Sequence, residues 1–398
     1  MEKLLFYRDK DVIKVLTGLR RAGKSTLLEL YRQSLLEAGV KEKQIITVNF
    51  EDPKNEYLST SKELYNFIME QTCAVQADKE CRFYIFLDEV QQVESFEKAV
   101  DGLYLNKNLD VYITGSNAYF LSGELATLLS GRYVEIPVYP LSFKEYASAH
   151  SVHGESSRTG LLQKYIKFGG LPYILKMNDS PQAAFDYLGG VYNTVVRKDI
   201  MTRLKATNAL ALDGVAKYLF DNVGNSTSIR KISDTLISAG TKITPPTVAR
   251  YVDALTETFV LLKASRYDLK GRHYLQTQEK YYLNDLGLRY YLLGDRPGDI
   301  GHLLENVVFT ELRRRNHNVA IGKLYAREVD FVATGSSGVS YYQVATSVLD
   351  AGALERELSP LQSIPDNYPK YLLTLDEVGT GSHKGIEQIN VIDWLLQE

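Results

Sequence analysis

The chain has 398 residues, with 46 Lys+Arg against 49 Asp+Glu and a formal net charge of -3. This length is too great for one ordinary hydrophobic core, and the near-neutral charge excludes a strongly basic, histone-like binder but not a local basic patch. Two cysteines, Cys73 and Cys81, are too few for a disulfide framework or a four-cysteine zinc site, which predicts a reducing, cytoplasmic location. No apolar run reaches the about 18 residues of a membrane span, so we expect no membrane segment.

From residue 12 to about residue 140, short apolar segments alternate with amphipathic helical segments. The strand-like segments lie near 12–18, 45–51, 83–89, 111–116 and 133–138. Strands that alternate with helices are typical of βαβ units. The sequence therefore predicts an α/β domain over residues 1–140, with a mainly parallel sheet and helices on both faces.

Three further segments follow in the chain. Residues 141–206 predict a helical segment interrupted by Gly and Pro. In residues 207–275, three helical stretches precede a two-stranded pattern, which is the outline of a winged helix. Residues 276–398 alternate between strand and helix patterns again, which predicts a separate α/β domain.

The segment GLRRAGKS, residues 18–25, matches the pattern G-x-x-x-x-G-K-[ST] at every specified position. It follows a predicted strand and opens a predicted helix, which is the context of a phosphate-binding loop. Glycines let successive N–H groups face phosphate oxygens, and the helix N-terminus adds partial positive charge. We expect Lys24 to reach the β- and γ-phosphates of ATP and Ser25 to hold Mg²⁺. The predicted nucleotide-binding residues are Gly18, Arg20, Arg21, Ala22, Gly23, Lys24, Ser25 and Thr26.

Two acids end the apolar strand segment FYIFL. Ligands of parallel sheets bind at the carboxyl ends of the strands, so we expect Asp88 at Mg²⁺ and Glu89 at the attacking water. The alternative is that these acids only cap the next helix. The next predicted strand ends in the polar residues Thr114, Ser116 and Asn117. Of these we expect Asn117, with Ser116 as the second choice, to contact the γ-phosphate and the water.

Together these motifs resemble those of AAA+ ATPases, with Walker A at 18–25, Walker B at 85–89 and sensor 1 at 114–117. The segments GLRRAGKST, LDEVQQV, ITGSN and LSGRYVEIPVYPLSFKEY also resemble a widespread family of bacterial and archaeal ATPases, over essentially the whole chain. This resemblance implies an AAA+-type P-loop domain followed by a restriction-endonuclease-like C-terminal domain.

The resemblance further implies an arginine that completes the site, often from a neighbouring subunit, so a homo-oligomer is one alternative. Arg132 is the first candidate, because it lies between the sensor segment and the next predicted strand, and Arg197 is the second. For each of them a structural salt bridge is the alternative.

The predicted winged helix carries eight Lys or Arg and six acids between residues 213 and 270. This excess is small for a DNA-binding module, and such modules in ATPases also contact proteins, so DNA and a protein partner both stay open. If DNA is bound, we expect backbone contacts from Lys242 and Arg250 near the third helix and from Arg266 and Arg272 on the wing.

For the C-terminal domain, the resemblance implies two metal-binding acids, a third acid and a lysine near the attacking water. Glu305 and Asp330 match the first two positions, whereas Gln343 replaces the third acid and Ala345 the lysine. We therefore expect a nuclease-derived domain without activity, with Glu305, Asp330 and Gln343 as its vestigial site. Glu328 is an alternative source of the missing acid.

The leading hypothesis is an ATPase that hydrolyses ATP with Mg²⁺ and couples its nucleotide state to the C-terminal domains, with DNA as one target. One alternative is an ATP-gated protein-interaction scaffold with slow hydrolysis, against which Glu89 argues. Another is an ATP-regulated, Mg²⁺-dependent nuclease, against which Gln343 and Ala345 argue.

Overall fold

The computed structural model describes residues 1–75, 81–117, 128–151, 157–177, 180–271, 273–325 and 327–397. The chain divides into two compact units. The first unit comprises residues 1–139 together with 257–259, and the second comprises residues 140–256 and 260–398.

The described part of the first unit contains a sheet of five parallel strands in the order β2-β3-β4-β1-β5. The strands are Ile13–Thr17 (β1), Ile45–Asn49 (β2), Phe83–Asp88 (β3), Leu109–Gly115 (β4) and Tyr133–Pro137 (β5). The helices are Glu2–Tyr7 (α1), Lys24–Glu37 (α2), Ser61–Val75 (α3) and Phe96–Tyr104 (α4), with single 3₁₀ turns at Glu42–Gln44, Pro53–Asn55 and Val90–Gln92.

Helices cover both faces of this sheet. Successive residues of a strand point to opposite faces, and every residue of β3 is buried. Phe86 packs with Leu28 of α2 in one apolar cluster, and Ile85 packs with Leu64 of α3 in another. The predicted α/β fold with a parallel sheet is therefore confirmed for this unit.

The described part of the second unit contains a mixed sheet of eight strands in the order β12-β13-β11-β10-β9-β8-β6-β7. These strands are Leu261–Asp268 (β6), His273–Leu283 (β7), Asn318–Leu324 (β8), Arg327–Gly335 (β9), Gly338–Val344 (β10), Lys370–Thr374 (β11), Gly381–His383 (β12) and Ile386–Asn390 (β13).

Helices precede, interrupt and follow the strands of the second unit. They are Phe143–Ser151 (α5), Arg158–Phe168 (α6), Pro181–Tyr192 (α7), Ile200–Leu204 (α8), Ala209–Asp221 (α9), Ile229–Ser238 (α10), Pro245–Glu257 (α11), Gly287–Leu293 (α12), Ile300–Arg314 (α13), Ala351–Gln362 (α14) and Val391–Leu396 (α15). A π-helix spans Asn193–Asp199, and 3₁₀ turns lie at Pro172–Met177 and Pro297–Asp299. Within the described ranges, no helix has the length and apolar character that a membrane crossing requires.

The two strands predicted as a wing belong to the large sheet. Strand β6 pairs antiparallel with β7 and also parallel with β8, and its residues Leu261 and Ala264 are fully buried. Strand β8 pairs with the edge of β6 that faces away from β7. The β6–β7 hairpin is therefore part of the large sheet and does not form a separate wing after α9, α10 and α11. The predicted domain boundary between residues 275 and 276 is therefore wrong, since it falls inside β7.

Candidate nucleotide-binding site

The predicted phosphate loop joins the end of β1 to the start of α2. Gly18, Arg21 and Gly23 have φ angles of 144°, 68° and 103°, so the chain turns sharply over these few residues. A Cβ atom on Gly18 would lie 2.1 Å from the carbonyl oxygen of Val138, which leaves room only for glycine. Among the residues that the structure describes, no side chain caps the N-terminus of α2, so its first N–H groups can face an anion.

Lys24 is buried at the centre of this loop, with 4% of its surface exposed. Its Nζ donates to the carbonyl oxygens of Gly18 at 3.1 Å and Leu19 at 3.4 Å, and lies 3.6 Å from Oε1 of Glu89. Burial lowers the pKa of the Lys24 ammonium, and the carboxylates of Glu89 and Asp88 oppose that shift. The two carboxylates therefore offset only part of the cost of burying the Lys24 ammonium, and a phosphate group at the loop would stabilise it further.

The other predicted loop residues differ in exposure. Ser25 and Thr26 are exposed on the first turn of α2, and Ala22 is buried. Arg20 forms an ion pair with Glu51, which holds its guanidinium in place at the side of the loop. Ser25 therefore presents its hydroxyl where a phosphate-bound cation could use it.

The two acids after β3 contact the polar residues at the end of β4. Thr114 Oγ1 donates to Asp88 Oδ1 at 2.6 Å and accepts from the Glu89 backbone N–H at 2.9 Å. Ser116 Oγ donates to Glu89 Oε2 at 2.9 Å. Asn117, the first choice from the sequence, is the next residue along and is half-buried. The parallel strands thus bring the acids and the sensor segment together.

Gln91 is a site residue that the sequence did not indicate. Its Nε2 donates to Glu89 Oε2 at 2.5 Å. The backbone of Glu89 is left-handed, with φ at 55°, and it starts the 3₁₀ turn Val90–Gln92 that brings Gln91 back towards the carboxylate. The sequence does show two glutamines, Gln91 and Gln92, shortly after the acid pair. Their spacing alone does not predict which of them contacts the Glu89 carboxylate.

The first candidate for the completing arginine lies away from the loop of its own chain. Arg132 precedes β5, its carbonyl accepts from the Ile13 N–H at 2.8 Å, and its guanidinium forms an ion pair with Asp101 of α4. The phosphate loop follows the opposite end of β1, and five strand residues span about 16 Å. A role for Arg132 at the phosphates of the same chain therefore does not fit, because the strand direction separates them.

The second candidate, Arg197, is held in a salt bridge in the second unit. Its Nε lies 3.1 Å from Asp213 Oδ1 and its Nη2 2.6 Å from Asp213 Oδ2. Tyr192 also donates to Asp213 Oδ1, at 2.9 Å. This two-pronged geometry is that of a structural arginine–carboxylate pair.

The donors at the loop fit a magnesium–nucleotide complex. The Ser25 hydroxyl and the Asp88 carboxylate are oxygen ligands of the kind that Mg²⁺ takes from proteins, together with substrate phosphates. Among the described residues, no group of three or more His, Cys, Asp or Glu side chains is arranged to hold a metal ion. The protein thus offers a partial ligand set that phosphate oxygens would complete.

Comparisons with known proteins agree with this geometry. Residues 10–147 match a family model described as an AAA domain, and residues 159–299 match one described as a domain of unknown function (DUF8612). An uncharacterised protein of Haemophilus influenzae is 39% identical over 398 residues, covering 100% of this chain and 97% of that protein. The chain belongs to the same family as this Haemophilus influenzae protein, and its residues 10–147 are an AAA domain. An uncharacterised protein of Methanocaldococcus jannaschii is 28% identical over 401 residues, covering 96% of this AAA-domain protein and 85% of the relative.

Solved structures similar to the AAA-domain protein include a Walker-type ATPase of Pyrococcus abyssi, with 16% identity, a TM-score of 0.48 and coverage of 73% of this chain and 93% of that one. Another is the ORC1 protein of Aeropyrum pernix in complex with DNA, with 14% identity, a TM-score of 0.30 and coverage of 71% and 87%. The phosphate loop and the paired acids both lie within the residues matched as an AAA domain.

The predicted vestigial nuclease residues of the AAA-domain protein lie close together in the second unit. The Asp330 N–H donates to Gln343 Oε1 at 3.4 Å, and Tyr282 donates to Glu305 Oε1 at 2.5 Å. Burial raises the pKa of the Asp330 carboxyl well above its usual range, and the nearby Glu305 carboxylate adds to this shift. The three side chains therefore share one polar cluster between α13 and the sheet, in which Glu305 and Gln343 are buried and Asp330 is half-buried.

A lysine that the sequence did not indicate occupies this cluster. Lys280 Nζ lies 3.4 Å from Glu305 Oε1 and 2.7 Å from Glu328 Oε1. Burial lowers the pKa of Lys280, but Glu305 and Glu328 outweigh this effect and raise it overall. The position expected for a nuclease lysine is Ala345, so Lys280 reaches the acids from a different strand, β7.

The residues predicted to contact DNA differ in accessibility. Lys242 and Arg250 are exposed beside and on α11, and Arg250 Nη2 donates to the Leu204 carbonyl at 3.2 Å. Arg266 is 8% exposed and lies 3.2 Å from Glu328 Oε2, so its prediction as a wing contact is wrong, because β6 is an inner strand of the sheet. Arg272 lies outside the described residues.

Proposed function

We propose that this AAA-domain protein binds ATP with Mg²⁺ and hydrolyses it. The observation that carries the proposal is the meeting of a buried ammonium and a buried carboxylate at the phosphate loop, with Lys24 Nζ 3.6 Å from Glu89 Oε1. The ammonium suits a phosphate, and the carboxylate suits an attacking water beside it.

Each residue of the site has a role in this proposal. The N–H groups of residues 18–26 and the Lys24 ammonium bind the β- and γ-phosphates. When bound, Mg²⁺ neutralises phosphate charge, and Ser25 and Asp88 would hold it. Glu89 accepts a proton from the attacking water, and Asn117 contacts the γ-phosphate and that water. Thr114 fixes both acids, since it donates to Asp88 and accepts from the Glu89 N–H.

A nucleotide-binding assay with Lys24→Ala tests the phosphate contact. Removing the ammonium should lower the affinity for Mg–ATP at least about tenfold, since a charge-assisted contact to phosphate is lost. Lys43→Ala is the control, because Lys43 is exposed on another turn of the same unit. Equal affinity of wild type and Lys24→Ala would contradict the assignment of the loop.

We propose secondly that the protein binds DNA. The exposed cations Lys242, just before α11, and Arg250, on α11, favour this proposal. If nucleotide state is coupled to DNA, duplex DNA should raise the rate of ATP hydrolysis, and this effect should weaken as salt increases. The double variant Lys242→Ala/Arg250→Ala should lose the stimulation and keep the basal rate. Stimulation that survives this variant would contradict the assignment of DNA contacts to Lys242 and Arg250, and a wild-type rate that does not respond to DNA would favour a protein partner instead.

We also propose that the second unit does not cleave DNA. The support for this proposal is Gln343, a neutral side chain beside Asp330 where a third metal-binding acid is expected, together with Lys280, whose ammonium already pairs with Glu305 and Glu328. Plasmid DNA incubated with the protein and Mg²⁺ should stay intact. Cleavage that disappears in Asp330→Ala would contradict this proposal.

A further inference from the structure

We propose that the second unit binds a small organic anion with an aromatic or branched apolar body, in a cavity lined by α6, α12 and the start of α13. The site is independent of the proposed ATP hydrolysis, since none of its residues belongs to the first unit. Its apolar walls, its excess of cations and one fixed guanidinium each point to this class of ligand.

The cavity has the size and the walls of a small-molecule site. Its volume is about 610 Å³, within the about 300–1,000 Å³ that ligand pockets usually have. Ile166, Phe168, Leu286 and Leu303 line it and are buried, and the half-buried ring of Tyr290 lines it beside them. The rings of Phe168 and Tyr290 meet edge to face, with centroids 5.4 Å apart. These side chains offer an apolar surface that can cover the body of a ligand.

The charged side chains that line the cavity are mostly cations. Among the described residues they are Lys164 and Lys167 of α6, Arg289 of α12, Asp295 and Arg296. Four cations therefore stand against one acid at the lining. In a cleft with apolar walls, such an excess raises the local concentration of anions.

Two ion pairs at the cavity are exposed and can be exchanged. Lys167 Nζ lies 2.6 Å from Asp295 Oδ2, and the Asp295 side chain is 61% exposed. Arg296 pairs with Asp221, and both are exposed. Because water screens such pairs, they contribute little to stability. The anionic group of a ligand can therefore replace either acid at small cost.

Arg289 is a fixed donor at the cavity. It is 4% exposed, its Nε donates to the Phe220 carbonyl at 3.0 Å, and its Nη2 pairs with Asp299. Neither contact uses Nη1. Because the guanidinium is held before a ligand arrives, its ordering adds little to the cost of binding. With Asp299 and Asp221 counted as well, the four cations still exceed the three acids, so the cavity favours an anion.

Lys167 connects the apolar part of the cavity with the cationic part. Its Nζ lies 5.1 Å from the ring centroid of Tyr290 and 5.7 Å from that of Phe168. A ligand whose apolar body packs on these rings would hold its anionic group beside the same ammonium. A neutral molecule of the same shape would lose the charged contact, and an anion without an apolar body would lose the rings. Both parts together define the class of ligand.

Two dyes with the same ring system test the proposal on the full-length protein. Anilinonaphthalene sulfonate is an anion, phenylnaphthylamine lacks the sulfonate, and both fluoresce in an apolar site. The sulfonate should bind as a single dye per chain and at least about tenfold tighter than the amine, because it gains charge-assisted contacts. Lys167→Met should weaken sulfonate binding at least about threefold and change amine binding by less than about twofold. Lys231→Met, which removes an exposed lysine of α10, should match wild type.

A further variant locates the dye. Ile300→Trp enlarges a half-buried lining residue at the start of α13 and should weaken the binding of both dyes, with cooperative unfolding by circular dichroism as the check on folding. Lys24→Ala, at the phosphate loop, should bind the sulfonate as wild type does.

Three results would overturn the proposal. The first is equal affinity of wild type for the two dyes, which would mean that the cavity does not recognise the anionic group. The second is sulfonate binding that is unchanged in Lys167→Met or in a folded Ile300→Trp. The third is loss of sulfonate binding in Lys24→Ala, which would place the dye at the phosphate loop. None of these results bears on ATP hydrolysis, which the turnover of Mg–ATP measures separately.

Discussion

A single glycine sets the shape of the phosphate loop. Gly18 has a positive φ and packs against the backbone of Val138, so both its conformation and its space exclude a side chain. Gly39, after α2, also has a positive φ, at 89°, but a Cβ there would meet nothing within 4 Å. A side chain at Gly39 would therefore meet backbone strain alone, whereas a side chain at Gly18 would meet both backbone strain and a steric conflict.

Gly18→Ala is expected to destabilise the first unit by more than Gly39→Ala. Backbone strain alone costs about 1–3 kcal/mol, which is the effect expected at Gly39. At Gly18 the overlap with the Val138 carbonyl adds to it, and nucleotide affinity should also fall. Thermal unfolding and nucleotide titration of both variants provide the measurement. Equal loss of stability in the two variants would contradict the close approach at Gly18.

At this scale, the sequence predicted the residues that belong to a motif. Lys24, Asp88 and Glu89 follow from a spacing that encodes strand, loop and helix together. Gln91 and Lys280 could not be predicted in the same way. Gln91 reaches Glu89 only because the acid adopts a left-handed backbone, and Lys280 meets its acids through pairing between distant strands.

At the scale of elements, a buried carboxylate joins the end of α6 to the start of α12. Asp285 is 3% exposed and accepts from the N–H groups of Gly170 at 2.8 Å and Gly287 at 2.9 Å. Burial raises the pKa of Asp285 from 3.8 to about 6, against the opposing effect of these N–H groups. The contribution of this connection to the stability of the second unit should therefore depend on pH.

The sign of this dependence follows from the pKa values. Between pH 3.8 and about 6 the unfolded chain ionises Asp285 before the folded protein does, so stability is lost as pH rises through this range. The stability advantage of wild type over Asp285→Asn should be about 2 kcal/mol smaller at pH 7.5 than at pH 4.5. Urea unfolding followed by the single tryptophan, Trp394 of the second unit, measures it. An advantage that does not change with pH would contradict this account.

Element positions also show where sequence patterns fail. The helix pattern before β6 predicted α9, α10 and α11, because amphipathic spacing is local. The hairpin after them was assigned to a wing, although β6 pairs with β8 across more than 50 residues of chain. Pairing between distant strands leaves little trace in a single sequence, and the accessibility of Arg266 was misjudged for the same reason.

At the scale of the molecule, the strand order predicts which fragments can fold. A fragment of residues 140–275 would lose β8 and part of β7, leaving the paired edge of β6 without its partner. It should show no cooperative unfolding, whereas residues 140–398 should show one cooperative transition by circular dichroism. Cooperative unfolding of the shorter fragment would mean that the winged-helix boundary was right after all.

The central claim is that the first unit hydrolyses ATP through Glu89. The most direct measurement is the turnover of Mg–ATP by wild type and Glu89→Gln, with nucleotide affinity measured on both. Glutamine keeps the size of the side chain and removes the proton acceptor, so we expect similar affinity and turnover at least about 100-fold slower. Turnover by Glu89→Gln at the wild-type rate would contradict the account.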